Sequence, residues 1–294
     1  MPNKINNKNL LKILNQFQNG LEKDQSTIES QLLLQYKKSL DQIKIEMGRI
    51  YERYGTQIAE KSFTNLGRLK NIRAQITDNI KQILKDQHGY DYELTKNSIR
   101  DFYSSTFNNT VGALEQTVGV RLNFSLLSED AILAAIKNPY DKIGWGKRTV
   151  ENINDLNASV KTEITQGIIQ GRTYAQTANR LNEQLNIGAT KALRIVRTET
   201  HGAQNQGRLD GFGKTEESAK LLGIEVERVW QHNSRRNPRE AHIKMNGKVA
   251  DKNGEFTFIS GNNAGSQTAG PGLSGIAEED INCACTVIMR IKNL

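Results

Sequence analysis

The residues with the most chemical potential gather in the last third of a 294-residue chain. Arg228, Arg235, Arg236, Arg239, Lys244 and Lys248 fall within 21 residues, opposed there only by Glu240, and His232 and His242 share the stretch. His242 lies three positions from Arg239, so a helix through them puts both on one face. An imidazole beside guanidinium groups can move protons while the cations stabilise developing negative charge, as metal-independent phosphodiester cleavage requires. Upstream, Arg194, Arg197, His201, Asn205 and Arg208 recur at steps of three or four. A helix would align them as one polar, basic face. Arg197 and His201 would then join His242 and Arg239 as catalytic candidates. Arg194, Arg208, Arg235, Arg236 and Lys244 would contact nucleic acid or another anion, because the guanidinium fork suits phosphate. For the Arg194–Arg208 set taken alone a solvated helix face is the preferred reading, whereas the Arg239–His242 cluster reads equally as an ordinary polar surface or as a buried network that holds the small domain together.

Cys283-Ala284-Cys285, with His242 or His232, supplies the thiolate and imidazole ligands that zinc prefers. His242, Cys283 and Cys285 would be the metal residues. Structural zinc sites usually draw on C-x₂₋₄-C pairs, however, and a lone C-x-C must find two further ligands. The expectation is therefore two buried free thiols and no cofactor. Two cysteines cannot form a disulfide framework. No Gly-rich turn leads from a strand into a helix, as phosphate and dinucleotide sites require.

The elements that must position these residues are mostly helical. Apolar residues at Ile28, Leu32, Tyr36, Leu40, Ile43, Met47, Ile50 and Tyr54 trace a stripe behind a Ser26–Glu29 capping box, with Gly55 as a stop. A second stripe runs from Leu66 through Leu69, Ile72, Ile76 and Ile80 to Ile83, closing at His88-Gly89, and a third segment covers Tyr92 to Val118. Pro139 and Gly144 mark a break near residue 140. Beyond it come helices over 150–169, ending at Gly171, over 174–185, and from Thr190 to Gly211-Phe212-Gly213. Ile224 to Trp230 alternates as a strand. Asn237-Pro238-Arg239-Glu240 opens a short helix, with Asn237 as its cap. Asn253-Gly254 predicts a hairpin between 248–250 and 256–259. Five glycines between Ser260 and Gly275 predict a surface loop, and 281–291 a closing strand with both cysteines on one face. The fold class expected is mainly α with a small C-terminal α+β unit: a helical arm or bundle over 1–140, then a domain over 141–294, helical over 147–222 and α+β over 223–294.

Composition narrows the classes further. The net charge is +8, and hydrophobic residues make up 36%, below the roughly 45–50% of ordinary compact domains. No apolar run approaches the ~20 residues of a membrane span, and the first residues lack the apolar core of a secretory signal. Residues 1–100 carry 17 basic and 11 acidic side chains, so most of the excess sits on the N-terminal helices.

Three blocks in order resemble the phage Mu F-like minor head proteins, or phage head morphogenesis proteins. Ala192-Leu193-Arg194-Ile195-Val196-Arg197-Thr198-Glu199 is similar to the family's Ala-x-x-Ile-Ala-Arg-Thr-Glu helix. Trp230, followed by Arg239-Glu240-Ala241-His242-Ile243-Lys244-Met245-Asn246-Gly247, resembles its Trp and Arg-x-x-His-x-x-Leu-Asp-Gly. Asn282-Cys283-Ala284-Cys285 is close to its Asn-Cys-Arg-Cys ending. Asn246 and Ala284 depart from that pattern, and Arg239 and His242 stand where some relatives carry a Cys-x-x-Cys pair. The resemblance covers about 145–291. It implies a non-enzymatic, low-copy component of a tailed-phage head, made in the host cytoplasm and housed in the virion interior. Its partners would be portal, capsid and scaffold proteins and double-stranded DNA, with which it could be ejected. No membrane is implied, and the N-terminal helices are candidates for self-association.

Overall fold

The computed structural model describes residues 7–59, 66–118, 130, 132, 144–233 and 238–292. The described residues build long helices and two small antiparallel two-stranded sheets, the mainly α fold class with a small C-terminal α+β unit read from the sequence. The elements are α1 (Asn7–Ala59), α2 (Leu66–Val118), α3 (Trp145–Ile169), α4 (Tyr174–Leu221), β1 (Val226–Gln231), α5 (Glu240–Met245), β2 (Phe256–Thr257), β3 (Gln267–Thr268), α6 (Ala277–Asp280) and β4 (Thr286–Ile291).

The helices are fewer and longer than punctuation in the sequence predicts. The Ser26–Glu29 capping box is not a helix start: α1 runs through it, and the Ser26 hydroxyl donates to the Glu22 carbonyl one turn back. Gly55 does not stop α1, and His88-Gly89 does not end α2, which continues to Val118. The segments 174–185 and 190–213 are one helix of 48 residues. A glycine inside a helix costs only ~1 kcal/mol relative to alanine. Burial of Leu10, Leu14, Leu21, Leu32, Tyr36, Leu40, Ile43 and Met47 along α1 outweighs that readily. Leu66, Leu69, Ile72 and Ile76, like the Tyr54 side chain, lie outside the described side chains, whereas Ile80 is buried.

Two compact units gather segments from both sides of the residue-140 break, most of which lies outside the described residues. One comprises Thr27–Leu94 and Trp145–Ile195. Four helices meet there around Leu32, Ile43, Leu84, Leu156, Val160, Ile164 and Leu181. A buried polar chain sets their register. Asn152 on α3 donates to the Tyr36 hydroxyl at 3.2 Å and to the Gly188 carbonyl at 3.0 Å. Tyr36 donates to Asp91 at 2.8 Å, Gln87 to Asp91 at 2.7 Å, and Ser39 to Gln87 at 2.7 Å.

The other unit comprises Met1–Ser26, Thr95–Gly144 and Val196–Leu294. Its core joins Leu10 and Leu14 of α1, Ala113 and Leu114 of α2, and Leu209 and Phe212 of α4 to Trp230, Met245, Phe256, Phe258, Cys283, Cys285, Val287, Met289 and Ile291. β1 and β4 pair antiparallel from Val226↔Ile291 to Gln231↔Thr286. The Asn7 amide extends that ladder: it donates to the Ile291 carbonyl at 2.9 Å and accepts from the Ile291 amide at 2.8 Å. Gly207 lets α4 approach α2 closely, since a Cβ there would lie 2.5 Å from the Tyr103 carbonyl oxygen.

The hairpin expected around Asn253-Gly254 forms only its turn, with Gly254 at φ 81°. Residue 249 instead bridges Val229 of β1, and 256–257 pairs with 267–268. These pairings leave Phe256 and Phe258 in the core against Trp230, and that packing outweighs the local turn signal. The Gly-rich loop is likewise not all surface. Thr268, Gly270, Pro271 and Gly272 are buried, and Gly272 packs on His201.

Candidate functional site

The smaller elements of the second unit exist to place a few polar side chains. α5 has only six residues, and its three-residue spacing turns His242 and Met245 inward. Its first residue is Glu240 and its N-cap Arg239, while Asn237, Arg235 and Arg236 lie outside the described residues. After α5, Gly247 adopts φ 78° and its amide donates to the Trp230 carbonyl, while the Trp230 amide donates to the Lys248 carbonyl. Asn246, the departure from the family's Asp, still accepts a hydrogen bond from the His232 amide at 3.0 Å. A second turn is folded by Asp280, whose carboxylate accepts from the Ser274 hydroxyl and from the Ser274 and Gly275 amides. Burial pushes the Asp280 carboxyl up, against those bonds. Asn282 then takes φ 55° and donates its amide to the Thr198 hydroxyl of α4, turning the chain into the Cys283–Cys285 segment.

His242 stands at the centre, 3% exposed. Its Nε2 meets Glu279 Oε2 at 2.8 Å, and its Nδ1 faces Cys283 Sγ at 3.5 Å and Cys285 Sγ at 3.6 Å. Phe258 stacks on the imidazole with centroids 5.9 Å apart, and Trp230 meets it edge-on at 5.7 Å. Both cysteines are free thiols and buried. The S–H of Cys283 holds the Cys285 thiol well below its usual range; burial opposes this and His242 reinforces it. Cys283 is pushed correspondingly up by the same contact and by burial. Burial draws His242 toward its neutral form, but the Cys285 thiolate and the Glu279 carboxylate outweigh that and raise it. Arg239 reaches past the cluster to donate to the Ile281 carbonyl.

The helix α4 carries a second buried set. Asn205 is fully buried and donates to the Pro271 carbonyl at 2.8 Å and the Cys285 carbonyl at 3.1 Å, accepts from the Val287 amide at 3.2 Å, and lies 3.0 Å from His201 Nε2. It ties the glycine-rich loop and the start of β4 to the helix. The solvated basic face expected on α4 is thus corrected. Arg194 is exposed and Arg197 and Glu199 half-buried, but Thr198, His201, Asn205 and Arg208 are buried. Arg208 donates to Gln18, and burial lowers its pKa to about 10. Facing α1 instead of solvent, it cannot reach a nucleic acid. Of the anion-contact candidates described, Arg194 and Lys244 are exposed, the latter paired with Glu240 at 2.6 Å.

Of the four catalytic candidates, His242 and Arg239 sit on the Cys283 segment, and His201 joins it through Asn205. An open cleft of about 470 Å³ on the same unit, lined in part by Phe212, Arg228, Val249, Lys252 and Met289, includes none of the four. Sequence reasoning missed Glu279 as the partner of His242. The signal was present as an acidic pair directly before Ile281-Asn282-Cys283, four residues from the thiol.

Long helices closed by a small sheet, with the Trp, His and Cys-x-Cys residues meeting in one buried cluster, define the class of this C-terminal region. Residues 158–288 match the family described as Phage Mu protein F like protein. Among curated proteins, it is 24% identical over 256 residues to Minor head protein GP7 of Bacillus phage SPP1, covering 87% of this chain and 80% of that one. It is 28% identical over 270 residues to NAD(+)--arginine ADP-ribosyltransferase EFV of Enterococcus faecalis, covering 90% of this chain and 52% of that protein. The chain therefore spans about half the length of the enterococcal relative. No solved structure matches it.

Proposed function

We propose that this chain is a structural minor head protein of a tailed phage, resident in the virion and assembled there with portal, capsid and scaffold proteins. The observation that carries the reading is the fate of the family-motif residues. Trp230, His242, Cys283 and Cys285 are buried, Thr198, Arg239 and Asn246 hold backbone groups, and Gly247 and Asn282 supply left-handed turns. Such a motif builds a domain instead of turning over a substrate, which makes the nuclease reading through His242, Arg239, Arg197 and His201 the weaker one. The likeness to a phage minor head protein along 87% of this chain supports the same reading. The activity in the enterococcal relative's name is that protein's own, and the match covers 52% of its length.

Contact with packaged DNA, and departure with it on ejection, fit the exposed Lys12, Lys37 and Lys38 of α1. α1 and α2 are also the surfaces through which copies could associate. No helix among the described residues is long and apolar enough to cross a membrane. The test is co-purification: tagged protein expressed during phage growth should sediment with heads and pull down portal. Its absence from purified particles and portal complexes would overturn the assignment.

A further inference from the structure

We propose that His242, Cys283 and Cys285 bind a zinc ion, His242 through Nδ1 and the cysteines as thiolates. The three ligand atoms lie within 4.8 Å of one another and all three residues are buried. The lengths between them fit the ion. Zn–N of ~2.0–2.1 Å and Zn–S of ~2.3 Å at a tetrahedral angle place nitrogen and sulfur ~3.5–3.6 Å apart. The observed Nδ1···Sγ separations are 3.5 and 3.6 Å. A weak S–H···N hydrogen bond would account for one such contact, but a single Nδ1 lone pair cannot accept from both thiols at once.

The surroundings fit as well. A metal-bound histidine normally gives its other ring nitrogen to a carboxylate or carbonyl. Here Glu279 takes Nε2, and Asn263 in turn holds Glu279 at 2.7 Å. Glu279 sits on the far side of the ring, so it orients His242 and does not ligate. The buried indole N–H of Trp230 has no hydrogen-bond partner. The segment carrying the sulfurs is fixed independently by the left-handed Asn282, the Thr198 hydroxyl and the Asn205 amide. Two thiolates and an imidazole select zinc over magnesium or calcium, which take oxygen ligands. Among the described residues no fourth His, Cys, Asp or Glu joins the set, so water or a small exogenous ligand completes the shell. The ion would close the C-terminal unit from inside, linking α5 to the lead-in of β4.

This inference does not depend on the assembly role, and neither does its test. The full chain, expressed with zinc in the medium and gel-filtered in metal-free buffer, should retain one zinc per chain by mass spectrometry. Cobalt added to the stripped protein should give a thiolate-to-metal charge-transfer band, which Cys285→Ser should weaken or abolish. Should Cys285→Ser fail to fold, Glu279→Gln carries the test: it leaves the ligands in place and should weaken zinc ten- to a hundredfold against a chromophoric chelator. Folded protein with no zinc and no cobalt charge-transfer band would overturn the proposal. So would a folded Cys285→Ser variant that holds zinc as tightly as the parent.

Discussion

Removing the Asn205 side chain tests whether the α4 polar set is architecture. Asn205→Ala leaves the Pro271 and Cys285 carbonyls and the Val287 amide without their partner in a site with no exposed surface. Each orphaned buried group costs ~1–3 kcal/mol, and local relaxation recovers part of it, so the loss should be about 3–5 kcal/mol. For a chain of this size that is a fall in Tm of roughly 10 °C. Asn205→Asp keeps the shape but turns a carboxylate toward two carbonyl oxygens, and should cost at least as much. The reporter is built in. The two tryptophans fall in different units, Trp145 in one and Trp230, fully buried, in the other. In a Trp145→Phe background, guanidinium denaturation followed by Trp230 fluorescence reads the C-terminal unit alone. A loss below about 1 kcal/mol for Asn205→Ala would mean that these bonds do not hold the unit together, because at least three buried groups would then have cost no more than one.

Other expectations follow from the same structure. Burial raises the Asp91 pKa from 3.8 to about 7 in the folded chain, partly offset by Tyr36 and Gln87. Between those values the native state binds more protons than the unfolded one, so stability should fall as pH rises from about 4 to 7, by up to about 4 kcal/mol at ~1.4 kcal/mol per unit. Denaturation across that range should show the slope, and Asp91→Asn should flatten it. Gly207→Ala should destabilise by ~1–3 kcal/mol despite better helix propensity, because its Cβ meets backbone at 2.5 Å. Gly20→Ala, with nothing within 4 Å, should stabilise by up to ~1 kcal/mol in the same melts. If the chain binds DNA, Arg194→Ala should reduce the salt slope of binding by roughly one, whereas Arg208→Met should leave it unchanged.

The fold class was legible because its signal is repetitive: apolar steps of three and four along α1, and alternation in β1. Helix boundaries were not, because Gly55, Gly89 and the Ser26–Glu29 box are local signals. Burial along a 53-residue stripe exceeds the ~1 kcal/mol any one of them can exert. The Asn253-Gly254 turn was found but its ladder misassigned, since nothing near residue 256 announces a partner at Thr268. For the site, His242 and both cysteines were visible by residue type. Whether the Arg and His residues on α4 faced solvent or core was not, because polar spacing on a helix is the same in both cases. Exposure falling from Arg194 to Arg208 along one face is a tertiary fact, set by Gln18 on α1 and Pro271 in the glycine-rich loop.

That tertiary fact also explains how an ordered set of short blocks can mark a family without marking a surface. The first two blocks, together with Asn205, meet the Ile281–Cys285 segment at different points. Thr198 takes the amide of Asn282, Asn205 takes the carbonyl of Cys285, Arg239 takes the carbonyl of Ile281, and His242 takes both sulfurs. Four contacts from two helices fix one five-residue stretch, and that stretch leads directly into β4, whose pairing with β1 closes the unit. A change at any one of them moves the anchor for the other three, so these side chains are coupled through a shared backbone segment. Double-mutant cycles between Asn205→Ala and Thr198→Val should therefore depart from additivity by at least ~0.5 kcal/mol in the Trp230-monitored melt. Strict additivity would mean the blocks pack side by side without sharing the segment.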